Sequence, residues 1–180
     1  AHVEAGLRSF DRMMPEEINR LLTDQIAEFL FTPSVDANKN LTREGVTPTK
    51  IHLVGNVMID TLVTLLPHAE KRDTLTRLRL HPVEYGLVTL HRPSNVDDPD
   101  ILGQIMDALQ DICEKIPLIF PVHPRTRRQL KDMQYTICNT QLRLVEPLGY
   151  LDFLALQREA AFVITDSGGI QEETTYLGVP

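Results

Sequence analysis

Residues 162 to 177 read FVITDSGGIQEETTYL and contain a strand, a turn and a helix in succession. Phe162–Thr165 is a short run of aromatic and β-branched residues, which is typical of a buried strand. Ser167 is a favoured helix N-cap, and the two glycines after it lead into a helix predicted over residues 169–177. The stretch therefore predicts one strand–turn–helix unit.

The same alternation extends outward along the chain. Apolar strands are predicted at residues 29–32, 51–54, 86–90, 118–122 and 142–145. Helices are predicted from Pro15 and over residues 35–43, 57–66, 98–115, 125–133 and 150–159. Short, continuously apolar strands that alternate with helices indicate parallel strands covered on both faces. The sequence therefore predicts an α/β fold with doubly wound parallel sheets.

The charged stretch at residues 67–82 interrupts this pattern and is predicted to connect two domains. The first domain would then end at residue 66, and residues 83–180 would form most of a second domain. The chain begins inside a patterned segment and stops at the end of a helix, so we expect it to be a fragment of a longer protein.

Composition excludes several classes of protein. A net charge of −7 and a pI near 5.3 give no electrostatic footprint for a nucleic acid. Cys113 and Cys138 lie far apart without a CxxC or His pairing, which argues against a zinc site and against a disulfide framework. No apolar run is long enough for a membrane helix, so a cytoplasmic protein is expected.

Candidate ligand-binding residues follow the predicted strands, because ligands of an open parallel sheet bind at the carboxyl ends of its strands. His91 and Arg92 follow one strand, and His123 and Arg125 follow the next. A His–Arg pair can stabilise phosphate oxygens, although a lone His at a strand end is more often structural. The basic residues of 125–131 are weighted as mostly a solvated helix face.

Ser167, Gly168 and Gly169 are the sharpest candidates for a diphosphate site. Two glycines allow a ligand to approach the backbone, and the free N–H groups of the next helix point at it. The alternative is a tight turn with Ser167 as its N-cap. Glu173, one turn further on, could accept hydrogen bonds from ribose hydroxyls or simply be a solvated residue.

Carboxylates in the first part of the chain allow two interpretations. Glu16 and Arg20 have the spacing of an ordinary i,i+4 ion pair, and Glu4 and Arg8 would match it if their stretch were helical. The functional interpretation is that Glu4 and Glu16 face a sugar as proton acceptor and donor. The residues alone favour the ion pairs.

Several strings in order along the chain resemble the non-hydrolysing UDP-N-acetylglucosamine 2-epimerases. They are HVEAGLRS at 2–9, PEEINR at 15–20, VGNVMID at 54–60, HRPSN at 91–95, HP at 123–124 and TDSGGIQEE at 165–173. The resemblance implies a GT-B fold of two Rossmann-like domains, the first incomplete here, with the active site in the cleft between them. It also implies a homodimer as one expected state of the full-length protein.

The resemblance further implies a reaction in which UDP is eliminated from the sugar and then adds back while a proton is delivered to the opposite face of C2, without NAD or a metal ion. Glu4 and Glu16 would be catalytic, with His91 assisting at the phosphate. Leu148, which stands where some relatives have Gln, and Phe153 would lie near the uracil. The remaining substrate-binding candidates are Arg8, Arg92, His123, Arg125, Ser167, Gly168, Gly169 and Glu173.

Three other functions remain open at this stage. A hydrolysing 2-epimerase would add water to the intermediate, and a GT-B glycosyltransferase would transfer the sugar to an acceptor. A non-catalytic UDP-sugar-binding domain would need only the TDSGG site. For the epimerase, the expected role is in the supply of precursors for cell-surface polysaccharides.

Overall fold

A computed structural model describes residues 1–180, which divide into two compact units, Ala1–Thr61 and Leu62–Pro180. The division lies inside a helix at Val57–Ala69. Residues 67–82, predicted as a connection, contain the end of that helix and a short helix at Thr74–Leu78. No helix is both long enough and apolar enough to cross a bilayer.

The first unit is built around a three-stranded parallel sheet. Its strands are β1 (His2–Val3), β2 (Leu30–Thr32) and β3 (Ile51–Leu53), in the order β1-β2-β3. Helix α1 (Pro15–Ile26) connects β1 to β2, and α2 (Val35–Arg43) with a 3₁₀ turn at Pro48–Lys50 connects β2 to β3. The small core of this unit is formed by Ala5, Ala27, Leu30 and Leu41.

Helix α1 buries a different face from the one that apolar periodicity predicts. Its Leu22 and Ile26 are 61% and 84% exposed, whereas Glu17 and Asp24 are buried. The two carboxylates are buried because each accepts hydrogen bonds from the segment that follows β1, which supplies the partners that a buried charge needs.

The second unit contains a four-stranded parallel sheet with the order β6-β5-β4-β7. The strands are β4 (Gly86–Thr89), β5 (Leu118–Pro121), β6 (Leu142–Val145) and β7 (Phe162–Thr165). The helices of this part of the chain are α3 (Val57–Ala69), α4 (Thr74–Leu78), α5 (Pro93–Val96), α6 (Pro99–Ile112), α7 (Pro124–Asp132), α8 (Tyr150–Glu159) and α9 (Gly168–Leu177).

Both faces of this sheet are covered by apolar side chains. Val88 and Phe120 point into a core shared with α6, whereas Leu87 and Ile119, one residue earlier on the same strands, pack with Leu156 of α8. Successive residues of a strand alternate between faces, so apolar residues at every position imply a core on each side. The predicted doubly wound α/β class is confirmed.

Candidate functional site

The carboxyl ends of β4 and β7 bring two chain segments together. The strands pair in parallel with Thr89 opposite Thr165, so the residues that follow each strand emerge side by side. His91 and Arg92 leave the end of β4, and Asp166 and Ser167 leave the end of β7. The sheet register thus places the His–Arg pair beside the glycine-rich start of α9.

Asp166 is the centre of this strand-end cluster. Its carboxylate accepts from the backbone N–H groups of His91 and Arg92 at 3.0 and 2.8 Å and from the Asn95 amide at 3.0 Å. His91 Nδ1 lies 2.7 Å from the second carboxylate oxygen. Burial would raise the Asp166 pKa, but these hydrogen bonds and the nearby imidazole hold it below its usual value.

Arg92 is oriented by the same loop. Its Nε donates to the Asp166 carbonyl oxygen at 2.7 Å, and the side chain is exposed. A guanidinium held at Nε can still direct its terminal nitrogens at an anion in a bidentate manner. Arg92 is therefore a fixed cation next to the first turn of α9.

Helix α9 begins with a capped turn that remains open at its first residues. The Ser167 hydroxyl accepts from Ile170 N–H as the N-cap, so the N–H groups of Gly168 and Gly169 precede the first helical hydrogen bonds. A β-carbon added at Gly168 would meet no protein atom within 4 Å. The fold itself leaves this position unobstructed, which is what close approach of a phosphate requires.

Glu173 is buried in α9 with half of its carboxylate unpaired. The Tyr150 hydroxyl donates to Glu173 Oε1 at 3.0 Å, while Oε2 is buried without a partner. Burial and the adjacent carboxylate raise the pKa of Tyr150 to about 12, so the phenol remains a donor at neutral pH. A buried carboxylate oxygen without a hydrogen bond costs free energy, and a hydroxyl group of a ligand could donate the missing hydrogen bond.

Leu148 and Phe153 both pack against the apolar cluster that contains Tyr85 and Leu87. Leu148 precedes α8, and Phe153 lies in its first turn. Both side chains are partly buried in protein contacts.

His123 and Arg125 lie at the carboxyl end of β5, the neighbour of β4, but both already have partners within the protein. His123 Nδ1 accepts from the Arg125 N–H as the N-cap of α7, and Arg125 pairs with Asp97 at 2.6 Å. Arg125 is 62% exposed in its side chain, and Arg128 is 84% exposed. The basic residues of α7 mostly form a solvated face.

In the first unit, Glu4 occupies an unusual backbone conformation. Its φ of 64° lies in the left-handed region, which is strained for a residue with a β-carbon. Gly6, two residues later, has a φ of 80°, and a β-carbon there would lie 2.5 Å from the Ala37 carbonyl oxygen. The segment after β1 is therefore not helical, and the i,i+4 pair of Glu4 with Arg8 does not form.

Arg8 instead lies in a buried ion-pair network. Its side chain is 1% exposed, and its guanidinium contacts Asp24 at 2.7 Å and Glu44 at 2.6 Å. Asp24 also accepts from His2 and from the Gly6 N–H. The hydrogen bond to Glu44 outweighs burial and raises the Arg8 pKa above its usual value. These contacts give Arg8 a structural position that supports the loop carrying Glu4.

Glu16 and Glu17 are adjacent but differ completely in environment. Glu16 is exposed, whereas Glu17 is buried and accepts from the N–H groups of Ser9 and Phe10 and from Arg20. Burial would raise the Glu17 pKa, but these bonds lower it overall. The expected Glu16–Arg20 pair is thus replaced by Glu17–Arg20, at i,i+3.

Three residues that contact the candidate site were not predicted from the sequence. They are Asp166, its partner Asn95, and Tyr150, which donates to Glu173. Asp166 directly follows an apolar strand, which is a usable signal. Tyr150 and Asn95 have no local signal, because their partners are 23 and 71 residues away.

Comparison with known proteins gives consistent matches over the whole chain. The family described as UDP-N-acetylglucosamine 2-epimerase matches residues 1–180. A UDP-N-acetylglucosamine 2-epimerase of Methanococcus maripaludis is 44% identical over 187 residues, covering 99% of this chain and 51% of the relative. A UDP-2,3-diacetamido-2,3-dideoxy-D-glucuronate 2-epimerase of Pseudomonas aeruginosa is 40% identical, covering 100% of this chain and 50% of its own length.

A solved structure agrees with the sequence matches. The crystal structure of Methanocaldococcus jannaschii UDP-GlcNAc 2-epimerase in complex with UDP-GlcNAc and UDP has a TM-score of 0.87 and 45% identity, covering 100% of this chain and 51% of that one. This likeness confirms the expected GT-B-like α/β class. The chain spans about half the length of the curated relatives it matches.

Proposed function

This chain belongs to the UDP-N-acetylglucosamine 2-epimerase family, and we propose that the whole protein reversibly converts UDP-N-acetylglucosamine into UDP-N-acetylmannosamine. The observation that carries the proposal is the strand-end cluster of the second unit. There a fixed Arg92, the open N-terminus of α9 and the half-paired Glu173 offer complementary groups for one nucleotide.

Each part of a nucleoside diphosphate has a chemically suitable partner in this cluster. The diphosphate would accept from the free N–H groups of Gly168 and Gly169 and from Arg92. Glu173 Oε2 would accept from a ribose hydroxyl, which removes the cost of its unpaired burial. The uracil would lie near Leu148 and Phe153. His123 and Arg125 would add positive potential at the neighbouring strand end.

The proposed chemistry is an elimination followed by an addition. The C2–H and C1–O bonds break, a C1=C2 double bond forms, and UDP carries away the electron pair of the C1–O bond. Re-addition of UDP to C1 and of a proton to the other face of C2 completes the inversion. Two faces need more than one acid–base group, and Glu4 and Glu16 are proposed for these roles with His91 assisting at the phosphate.

Two features of the first unit support the carboxylate assignment. Glu4 is held in a left-handed conformation by a loop that Arg8 and Asp24 anchor. Strain of this kind persists only where the surroundings enforce it, and it is concentrated at functional positions. Glu16 is exposed although its neighbour Glu17 is buried. Because elimination and re-addition take the place of a transient oxidation and reduction, NAD is not needed.

A second substrate is favoured by one comparison. The Pseudomonas aeruginosa relative, 40% identical to this chain, is named for a 2,3-diacetamido glucuronate sugar. The same C2 chemistry would apply to that sugar, since both substrates carry UDP at C1 and an acetamido group at C2. Parallel turnover assays with the two UDP-sugars distinguish these candidates.

A reducing, cytoplasmic location is proposed from the thiols. Cys113 is buried and Cys138 is exposed, and both are free. An exposed free thiol is typical of proteins kept under reducing conditions. A supply of precursors for surface polysaccharides would be consistent with this location.

The proposal is tested by turnover of the full-length protein with UDP-N-acetylglucosamine in heavy water. Because the C2–H bond must break, the epimeric product should carry deuterium at C2, measured by proton NMR. Product without C2 deuterium would contradict elimination and point to oxidation with internal hydride return. Release of free N-acetylmannosamine and UDP would identify a hydrolysing enzyme, and UDP binding without turnover would identify a binding domain.

A further inference from the structure

Asp166 makes a contact with His91 that the proposed binding roles do not use. The Nδ1 atom of His91 lies 2.7 Å from Asp166 Oδ1. An ionised carboxylate can only accept a hydrogen bond, so the hydrogen of this contact must belong to the imidazole. We infer that Asp166 is a positioning residue that fixes the Nδ1–H tautomer of His91 and thereby directs Nε2 to the reacting nucleotide sugar. This inference rests on the proposed function.

The carboxylate is well suited to this role because it is itself held rigidly. Asp166 Oδ2 accepts from the N–H groups of His91 and Arg92 and from Asn95 Nδ2, which leaves Oδ1 mainly to the ring. The Asp166 side chain is 7% exposed, whereas that of His91 is 58% exposed. A buried, fully engaged acceptor therefore orients a side chain that solvent and ligand can reach.

A fixed tautomer has a consequence for both protonation states of the ring. In the neutral ring, Nδ1 carries the hydrogen, and Nε2 has the lone pair that can accept a proton. In the charged ring, the second proton is on Nε2, where it can be donated to an oxygen of the departing diphosphate. The charged and titratable groups in contact with this carboxylate are His91 and Arg92, and Asn95 is its neutral partner.

A purely structural role for Asp166 would explain the backbone contacts but not the ring contact. The substitution Asp166→Asn separates the two roles. The amide oxygen can replace Oδ2 and still accept from the backbone N–H groups of residues 91 and 92. The amide NH₂ would then face Nδ1 as a donor, so the ring must accept there and carry its hydrogen on Nε2. In a comparable His–carboxylate pair, the same exchange reverses the tautomer and impairs catalysis.

The first measurement is the ¹⁵N NMR spectrum of the full-length protein with labelled histidine, without substrate. The His91 signals are identified by their loss in a His91→Gln variant. We expect the neutral ring to be the Nδ1–H tautomer. A neutral Nε2–H ring in the wild-type protein would overturn the inference whatever the enzymatic activity and whether or not Asp166→Asn folds.

The second measurement compares Asp166→Asn with Asp132→Asn, which removes an exposed carboxylate on α7. In Asp166→Asn we expect the Nε2–H tautomer, a fall in kcat of about 10²-fold, and a Kd for UDP within about threefold of the wild-type value. Asp132→Asn should change none of these. An unchanged tautomer or an unchanged kcat in folded Asp166→Asn would overturn the role. A wild-type protein without epimerase activity would refute the proposed function instead.

Discussion

The two charged regions of this chain use their charges in different ways. In the first unit, Arg8, Glu17 and Asp24 are nearly inaccessible, and each is engaged by several partners. In the second unit, the site near the ends of β4 and β7 retains polar groups that can still bind a ligand. Glu173 Oε2 has no hydrogen-bond partner, and Arg92 is exposed.

The difference distinguishes charged groups that stabilise the fold from polar groups that are available to a ligand. Saturated buried charges hold a backbone in place, because removing a single partner leaves an uncompensated group. Unsaturated polar groups keep a hydrogen bond available for a ligand. Among the sequence-based candidates of the first unit, only Glu4 and Glu16 have carboxylates that are not held by buried partners, and they are the residues proposed to be catalytic.

The sharpest test of this contrast is to remove the basicity of the proposed catalytic carboxylates. In the full-length protein, Glu4→Gln and Glu16→Gln should each lower kcat by about 10²-fold or more, because the amide cannot exchange the C2 proton. Steady-state assays with UDP-N-acetylglucosamine measure this. Glu28→Gln, which removes an exposed carboxylate paired with Lys50, should leave kcat unchanged. Near-normal kcat in both well-folded variants would place these two residues with the surface charges.

The adjacent residue should behave in the opposite manner. Glu17→Gln should reduce the free energy of unfolding by about 2 kcal/mol at neutral pH, because a buried carboxylate loses charge-assisted hydrogen bonds. Since the Glu17 pKa is lowered in the fold, its contribution is present above the ordinary value of about 4.3 and is lost as the pH falls through the lowered value.

Denaturant unfolding of the wild type and of Glu17→Gln between neutral and acidic pH measures this difference. The gap between the two proteins should narrow at acidic pH. Glu16→Gln is the matched control, and its stability should stay within about 0.5 kcal/mol of the wild type. An equal loss of unfolding free energy in Glu16→Gln and Glu17→Gln would contradict the proposal that Glu17 stabilises the fold and Glu16 does not.

In the second unit, Glu173→Gln should weaken UDP binding about tenfold, because the amide replaces one acceptor oxygen with a donor. Calorimetry with UDP and 2′-deoxy-UDP sharpens the test. If Oε2 binds the 2′-hydroxyl, the wild type should prefer UDP, and the variant should lose that preference. Glu172→Gln, at an exposed neighbouring position, is the control. An unchanged preference in the variant would show that Glu173 does not contact that hydroxyl.

The smallest effect is expected for Gly168→Ala. The added methyl group meets no protein atom within 4 Å, so the fold should be at least as stable as before. UDP affinity should fall about fivefold, because the methyl group would crowd a phosphate. Gly103→Ala serves as the control, because the β-carbon added there, within α6, would lie 3.7 Å from Met133 Cε in an ordinary packing contact. Unchanged UDP affinity would make Gly168 a turn residue only.

Most of the fold was predictable because its signals are local. The predicted strands at residues 142–145 and 162–165 and the predicted helices at residues 35–43 and 150–159 match the structure. The bounds of the other predicted strands and helices differ by at most three residues. Apolar runs, N-caps and strand-end glycines act over a few residues, so their effect can be read without knowing the tertiary contacts. The strand-end location of His91, Arg92 and Ser167 followed from the same patterns.

The sequence by itself determined the parallel α/β class, the strand ends and the residue types available for a nucleotide. Only the tertiary structure decided which charged side chains pair with each other. Helical geometry permits Arg20 to pair at either i−4 or i−3, and the choice of Glu17 depends on the backbone of residues 9 and 10. Arg8 is committed to Glu44, 36 residues away, and Asp166 to the loop after β4. Such long-range pairing depends on how the strands and loops pack, which short-range spacing does not specify.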